Sequence, residues 1–442
     1  MDYNIFHFKD LFEVKHGYPF KSNNFSDTKT KFHIMTPGNV KAGGGIKLDK
    51  IKYLEENIEF DKNYIFEPGD IFINLTDLSK KGDTLGFPAI VPNDLSKYYL
   101  HNQRLGRVIN IDEEKLDKNF LFYLLCTREY RHHILGSATG STVKHTSPKR
   151  ILEFEISLPN LKIQKYIGIV LNSIDKKIEN NQKIIANLEE LSQTLFKRWF
   201  VDFEFPDEND NPYKSSGGEM IDSELGKIPK DWKIKKLDDL LNLIIDHRGK
   251  TPKKLGSDWS EKGMPAISAK NIKNRKLVNV DKIKFINRET YVKWMKNEVE
   301  KGDIILTSEA PLGETYLINE DSKWVLSQRL YAMRTNESLN YIYFWEYVNS
   351  HYFQNELTKR SSGSTVTGIR QKELIQILVI VPPLKFQKKY FEILNPLVDD
   401  ITRRNNEITM LTQLRDTLLP KLMSGEIEIP DDIEVNEDEL SI

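Results

Sequence analysis

Several short patterns in this chain could do chemistry if their neighbours agreed. Gly249-Lys250-Thr251 ends like a phosphate-binding loop, but the first glycine of that loop should stand at position 244, which is Ile244. Pro206-Asp207 with the later Asp231-x-Lys233 has the acid and lysine content of a nuclease site. Patterns that short arise by chance in a chain with 64 basic and 65 acidic residues. An adenine methyltransferase needs Asn/Asp-Pro-Pro followed by an aromatic residue and a glycine-rich cofactor loop after a strand. Here Pro382-Pro383 is followed by Leu384, and no such loop is found. The nine histidines offer no His-Glu-x-x-His spacing, and the adjacent His132 and His133 point apart on a helix, so they cannot share a metal. The one cysteine, Cys126, excludes an intramolecular disulfide and a cysteine-built zinc site, and its apolar setting suits a structural thiol rather than a nucleophile. No catalytic or metal-binding constellation stands in both halves of the chain. The residues read as those of a binder.

What does stand in both halves is suited to a polyanion. Gly140-Ser141-Thr142-Val143 recurs 223 residues later as Gly363-Ser364-Thr365-Val366, with basic neighbours Lys144, Lys149 and Arg150 in one copy and Lys359, Arg360 and Arg370 in the other. Hydroxyls, backbone amides and Lys/Arg together grip phosphate oxygens, and Arg, Lys, Asn and Gln can also read base edges. A plain hairpin turn is the competing reading of the same tetrapeptide. Gln103-Arg104 and Gln328-Arg329 match in the same way, either as groove-facing residues or as pairs bracing a sheet. The densest basic loop is Asp246-His247-Arg248-Gly249-Lys250-Thr251-Pro252-Lys253-Lys254; its thinner counterpart, Lys15-His16-Gly17-Tyr18-Pro19-Phe20, ends in Lys21. The candidate DNA contacts are accordingly Lys21, Arg104, Ser141, Thr142 and Lys144 in the first half. In the second they are Arg248, Lys250, Lys253, Lys254, Arg329, Ser364, Thr365 and Arg370.

The net charge of −1 over 442 residues conceals an uneven distribution. The tail from 425 carries −8 and the segment 202–224 carries −7, which leaves +14 on the rest, as a polyanion partner would favour. No apolar run approaches the roughly 18 residues of a membrane span. With no basic-then-apolar leader at the start, a soluble cytoplasmic protein is expected.

These residues must be positioned by two copies of one architecture, each a turn-rich α+β region followed by a long helix. Strands are expected at 70–75, 152–158, 303–307 and 374–381, and short helices at 120–135 and 341–357. Ile174, Ile178, Ile185 and Leu188 recur at spacings of three and four across 162–200, predicting a coiled-coil helix roughly 57 Å long. Leu397, Ile401, Ile408 and Leu411 repeat the stripe, with Arg404 where Asn181 stood. Pro396 inside that pattern predicts a kink or break near Asn395. The two stripes are best buried against each other. The acidic stretch at 206–218 should be an exposed linker, and the tail after Gly425 poorly ordered.

In this order and duplicated, the motifs resemble the specificity subunits of type I restriction–modification systems. The resemblance rests on Gly226-Lys227-Ile228-Pro229-Lys230-Asp231-Trp232, on 246–252, and on the Gly-Ser-Thr-Val pair. It rests equally on the Pro-Pro-Leu-Lys-x-Gln entry to the second helix, and on Leu195-Phe196-Lys197-Arg198-Trp199-Phe200 and 418–426 closing the helices. It implies target recognition domains at 1–160 and 226–381 and spacer helices at 161–200 and 382–424. The helices would pack as an antiparallel coiled coil with pseudo-two-fold symmetry, with an acidic linker at 201–225 and an acidic tail at 425–442. It further implies a non-catalytic subunit reading a bipartite, asymmetric double-stranded DNA sequence. Two methyltransferase (M) subunits and restriction (R) subunits would be its partners. S-adenosylmethionine, ATP and Mg2+ would sit on those partners, with no cofactor on this chain. The first half lacks the Gly-x-Ile-Pro-x-x-Trp opening, which leaves its first strand, around 6–14, less defined. A coiled-coil scaffold without a nucleic-acid role and a fused nuclease or methyltransferase remain the alternatives.

Overall fold

A computed structural model describes residues 4–247, 249–363, 366–430 and 433. The chain divides into two compact units whose limits ignore the repeat: one holds Met1–Asn181 and Glu407–Ile442, the other Gln182–Asn406. Each unit therefore takes half of each long helix.

In the first unit, Asn4–His7 pairs antiparallel with Glu155–Leu158. A four-stranded antiparallel sheet runs in the order Glu13–His16, Leu105–Ile109, Ile71–Asn74, Pro88–Ile90. Ile71-Phe72-Ile73 is apolar without interruption because both faces of this strand are covered. Ile71 and Ile73 join the cluster around Phe8 and Leu121, while Phe72 joins Phe66 and Leu105 on the other side. A second sheet, Phe25–Ser26, Lys52–Leu54, Phe32–Met35, Tyr98–His101, ends in a parallel pair. The second unit repeats this plan. Lys233–Lys236 pairs with Leu378–Val381, and the four-stranded sheet is Leu241–Asp246, Leu330–Thr335, Ile304–Thr307, Thr315–Leu317. Its other sheet again contains one parallel pair, Met264–Ile267 with Val325–Leu326.

Local side chains subdivide the expected elements. The stretches at 152–158 and 374–381 each begin at the end of a helical turn, Pro148–Leu152 or Gln371–Leu374, and only Glu155–Leu158 and Leu378–Val381 are strand. Each expected short helix is two: Lys118–Leu124 with Arg128–Ser137, and Tyr341–Val348 with His351–Arg360. Thr127 and Ser350 make the division, their hydroxyls accepting the backbone N–H of Tyr130 and Phe353 and so starting a new helix.

The long helices are Leu161–Phe196, extended by a wider turn over Lys197–Val201, and Leu384–Met423. Of the kink or break expected near Asn395, no break occurs: the second helix is continuous through Pro396. A proline there removes one helical hydrogen bond, a cost of about 3 kcal/mol in an exposed helix. Leu394 and Val398, on either side, are buried in the second unit's core and hold the helix in place. The helices run antiparallel. In the first unit Arg415 Nη1 lies 2.8 Å from Asp175 Oδ1, and Asn181 Nδ2 donates to Glu407 Oε2 at 2.9 Å; in the second, the Phe196 ring faces Tyr390. Ile174 and Ile185 are buried, while Ile178, Leu188, Leu397, Ile401, Ile408 and Leu411 are half-buried, as expected where two helices keep open flanks.

The repeated Pro-x-Leu-Lys-x-Gln motif has a clear structural purpose. Gln164 is buried, donates to the carbonyls of Pro159 (2.9 Å) and Lys115 (2.8 Å), and accepts from the Asp117 N–H (3.0 Å). Gln387 does the same with Pro382 (2.7 Å), Ser338 (3.1 Å) and Asn340 N–H (2.7 Å). Each glutamine fastens the start of a long helix to its own domain.

The stretch 206–218 lies at the surface without a buried residue, as expected of an exposed linker, but the residues just before it are packed inward. Phe203 and Phe205, which precede that stretch, are buried, with Phe205 stacked on Tyr213 (4.6 Å) and Trp232 (5.1 Å). The carboxylates of the stretch stay at the surface while these aromatic residues fill the second core. After Gly425, Ile429 is buried in the cluster that contains Leu422, and Ile427 and Ile433 pack against that cluster, as does Tyr166. Residues 431, 432 and 434–442, the rest of the acidic tail, lie outside the described residues.

Candidate nucleic-acid interface

In the first unit, backbone hydrogen bonds bring separate loops side by side. The Tyr18 N–H donates to the His101 carbonyl (2.8 Å) and the Gln103 N–H to the Tyr18 carbonyl (3.1 Å). Gly17 permits this approach, because a Cβ there would sit 2.3 Å from the Asn102 oxygen. The Leu75 N–H donates to the Arg104 carbonyl (3.0 Å), the Thr146 N–H donates to the Leu75 carbonyl (3.0 Å), and Lys144-His145 pairs with Thr76-Asp77. The loop 17–21, the turn 103–104 and the hairpin 139–145 thus share one edge. Lys21, Gln103, Arg104, Ser141 and Thr142 are exposed on it, while Lys144 is half-buried in its short strand.

The Gly-Ser-Thr-Val segment is a tight turn closed by reciprocal hydrogen bonds between Thr139 and His145 (3.0 and 2.9 Å). Gly140 has φ +93°, and a Cβ on it would meet the Val143 carbonyl at 1.9 Å. In the second copy Gly363 has φ +129° and the same conflict with the Val366 carbonyl, at 2.1 Å. The hairpin reading and the contact reading both apply: glycine forms the turn, and the turn holds Ser141 and Thr142 out to solvent. Ser364 and Thr365, at the corresponding tip, lie outside the described residues.

The second unit assembles the equivalent edge from the Ser308 N–H to Arg329 carbonyl bond (2.8 Å), the Ile369 N–H to Ser308 carbonyl bond (3.0 Å) and the Glu309–Gly368 bridge. Its cations are differently employed. Lys250 Nζ donates to the Trp294 carbonyl (3.0 Å), Lys254 Nζ to the Gly249 carbonyl (2.7 Å), and Arg329 Nε lies 2.9 Å from Glu309 Oε1. Lys253 and Arg370 are exposed, on the short turn Lys253–Leu255 and before the helix Gln371–Leu374. Arg248 lies outside the described residues.

The structure adds groups that pattern reading passed over. Lys80 and Lys81 are exposed on the loop 78–83, which leaves the strand paired with the hairpin. Asp77 braces that loop, accepting from the Ser79 N–H (2.6 Å) and from the N–H and hydroxyl of Thr84. Although burial works to raise it, these bonds hold the Asp77 carboxyl below its ordinary pKa. Trp259 is 39% exposed in a polar loop, with Lys284 Nζ 5.1 Å from its ring centre. The available signals were the Lys-Lys-Gly after a strand and a tryptophan with no apolar neighbour at helical spacing. Cys126 is half-buried, its thiol donating to the Phe122 carbonyl (3.3 Å), and desolvation pushes its pKa up, which suppresses the thiolate. Among the described residues no three His, Cys, Asp or Glu converge as metal ligands, and no helix is long and apolar enough to cross a membrane. Among the described residues, the first edge presents exposed hydroxyls and cations, and the second presents exposed cations on the same backbone plan.

The chain matches the type I restriction modification DNA specificity domain twice, over residues 1–190 and 229–410. It is similar to the type I restriction enzyme MjaIX specificity subunit of Methanocaldococcus jannaschii, 27% identical over 346 residues covering 78% of this chain and 76% of that one. It is also similar to the HindI specificity subunit of Haemophilus influenzae, at 24% identity over 79% and 87% of the two chains. With the EcoBI specificity subunit of Escherichia coli the figures are 22% over 94% and 84%. The solved S subunit of a type I restriction–modification system from M. genitalium shares the fold, with a TM-score of 0.62, 18% identity, and coverage of 98% of this chain and 97% of that one.

Proposed function

Because the chain belongs to the type I restriction–modification DNA specificity family, we propose that its two units read the two halves of one bipartite, asymmetric double-stranded DNA target. The observation that carries this reading is the duplication itself. Two edges have the same backbone plan but present different side chains, as two unlike half-sites require. The chain is the recognition subunit and supplies no catalytic group; chemistry belongs to its partners. In the first unit Lys21, Arg104, Ser141, Thr142, Lys80 and Lys81 are the proposed contacts. Among the described candidates of the second, Lys253 and Arg370 are exposed cations, while Lys250 and Lys254 shape the loop that carries Lys253.

The partners follow from the same symmetry. Leu191 and Leu414 are 223 residues apart, occupy equivalent positions on the long helices, and are 52% and 46% exposed. A pair of equivalent apolar points suits two copies of one partner, the M subunits, with R subunits joining that assembly. S-adenosylmethionine would be bound by the M subunits, and ATP and Mg2+ by the R subunits. The test is to assemble the chain with its methyltransferase partner and map methylated adenines by sequencing. One bipartite sequence should emerge. Lys253→Ala should weaken binding and flatten the log K against log[salt] slope by about 0.9, the signature of one lost phosphate contact. Methylation without sequence preference would defeat the proposal.

A further inference from the structure

Inside the second unit, one small hairpin connects the reading loops to the first long helix. Ile272-Lys273 pairs with Lys276-Leu277 across a two-residue turn, Asn274 (φ 49°) and Arg275 (φ 63°). Such a turn needs both central residues left-handed, which suits asparagine and disfavours arginine. The side chain of this arginine has a specific place. Arg275 Nη2 lies 2.6 Å from Glu346 Oε1, and its guanidinium stacks 3.9 Å from the Trp345 ring centre. Glu346 is only 3% exposed and accepts a second bond at the same oxygen from Ser192 Oγ (2.6 Å), on the long helix. Next to it Lys276 Nζ lies 3.3 Å from Glu189 of that helix. On its other side the hairpin touches a reading loop, with the Asn274 N–H donating to Glu314 Oε2 at 2.6 Å. That loop, 309–314, begins at Glu309, which bridges Gly368 of the repeated hairpin and holds Arg329.

The repeat shows that a polar fastening belongs at this place. The offset of 223 takes Tyr123 to Glu346 and Ser192 to Arg415. In the first unit Tyr123 Oη donates to Asp175 (2.8 Å) and Arg415 binds the same carboxylate (2.8 Å). There the arginine comes from a long helix, and the corresponding hairpin turns through Gly43-Gly44-Gly45, with no arginine at the turn. Gly44 instead abuts Cys126, whose sulfur would lie 2.5 Å from an added Cβ. Among the described residues, it is the second reading domain whose hairpin supplies an ion-paired fastening to its long helix.

We infer that Arg275, through Glu346 and Ser192, is a positioning residue that sets where the second reading loops stand on the long helix, and thereby how strictly the gap between half-sites is enforced. The inference rests on the bipartite reading above. An exposed cation would act on DNA directly, but Arg275 is spent on a buried carboxylate, so its removal should leave base preference alone.

The test uses the full chain in complex with its methyltransferase partner and a panel of DNAs whose gap is correct, one base pair longer or one shorter. Wild type should favour the correct gap by roughly tenfold or more, the scale of one misplaced contact. Arg275→Ala should narrow that preference below about threefold, with both half-site sequences unchanged. Leaving Glu346 buried and unpaired can unfold the protein. The pair Arg275→Gln with Glu346→Gln, which keeps the bond from Ser192, provides the same reading in a neutral cluster. A folded variant with the wild-type gap preference overturns the inference, as does an equal loss of methylation on all three gaps, which marks mere stabilisation. A changed base preference overturns it by making Arg275 a reading residue. A wild-type protein indifferent to the gap would instead overturn the bipartite reading.

Discussion

Gly140 and Gly363 are repeated because a side chain at either position collides with a carbonyl three residues on. The hydroxyls beside Gly140 are repeated for what they present, and nothing in the fold holds Ser141 or Thr142 inward. Cations separate in the same way. Lys250 and Lys253 stand three apart in one loop, yet the first is spent on the Trp294 carbonyl and the second is exposed. That difference was not legible in the sequence, since Trp294 is brought to the loop only by folding. Residue chemistry also sets a pH dependence. His101 is buried with Nε2 2.9 Å from the Leu105 carbonyl, and His247 is nearly buried; desolvation lowers both to about 4. The unfolded chain then binds protons that the folded one does not, so stability is full above about pH 6.5 and falls as pH drops toward 4. Each histidine contributes at most about 3 kcal/mol to that fall. Urea midpoints at pH 7 and pH 4.5 should show it, and His101→Gln should reduce the difference.

At the scale of elements, the stripes along the long helices were legible because a period between three and four demands a helix, and the strands at 70–75 and 303–307 because they are short and apolar. Their ends were not. Thr127 and Ser350 divide what reads as one amphipathic run, because one hydroxyl accepting a backbone N–H restarts a helix. Pro396 reads as a break, yet burial of Leu394 and Val398 offsets the lost hydrogen bond. Gln387 is the residue whose loss should matter most to an element. Gln387→Ala leaves the Pro382 and Ser338 carbonyls and the Asn340 N–H without their partner, at a cost of about 3 kcal/mol. Denaturant unfolding should register that loss in the second unit, and Gln164→Ala a similar one in the first.

At the scale of the molecule, both long helices pass from one compact unit to the other, and the end of each repeat is buried in the unit built mainly by the other. On the proposed bipartite reading, helix length would measure the gap in the DNA target. Inserting one heptad after Asn181 and another after Asn405 keeps both stripes in phase and adds about 10 Å to each helix. The recognised gap should widen by about three base pairs, at roughly 3.4 Å each, with both half-sites unchanged. Mapping methylated sites checks this, and altered half-sites would show that helix length does not set the gap. The sequence by itself determined the duplication, the α+β halves, the paired helices and the family, since periodicity and repeated motifs are properties of the order of residues. Only the tertiary structure decided which half of each helix serves which unit, which of the described candidate cations are exposed, and that Phe203, Phe205 and Ile429 complete cores. Those outcomes depend on long-range packing, where a residue's partner lies tens or hundreds of positions away and no local pattern names it.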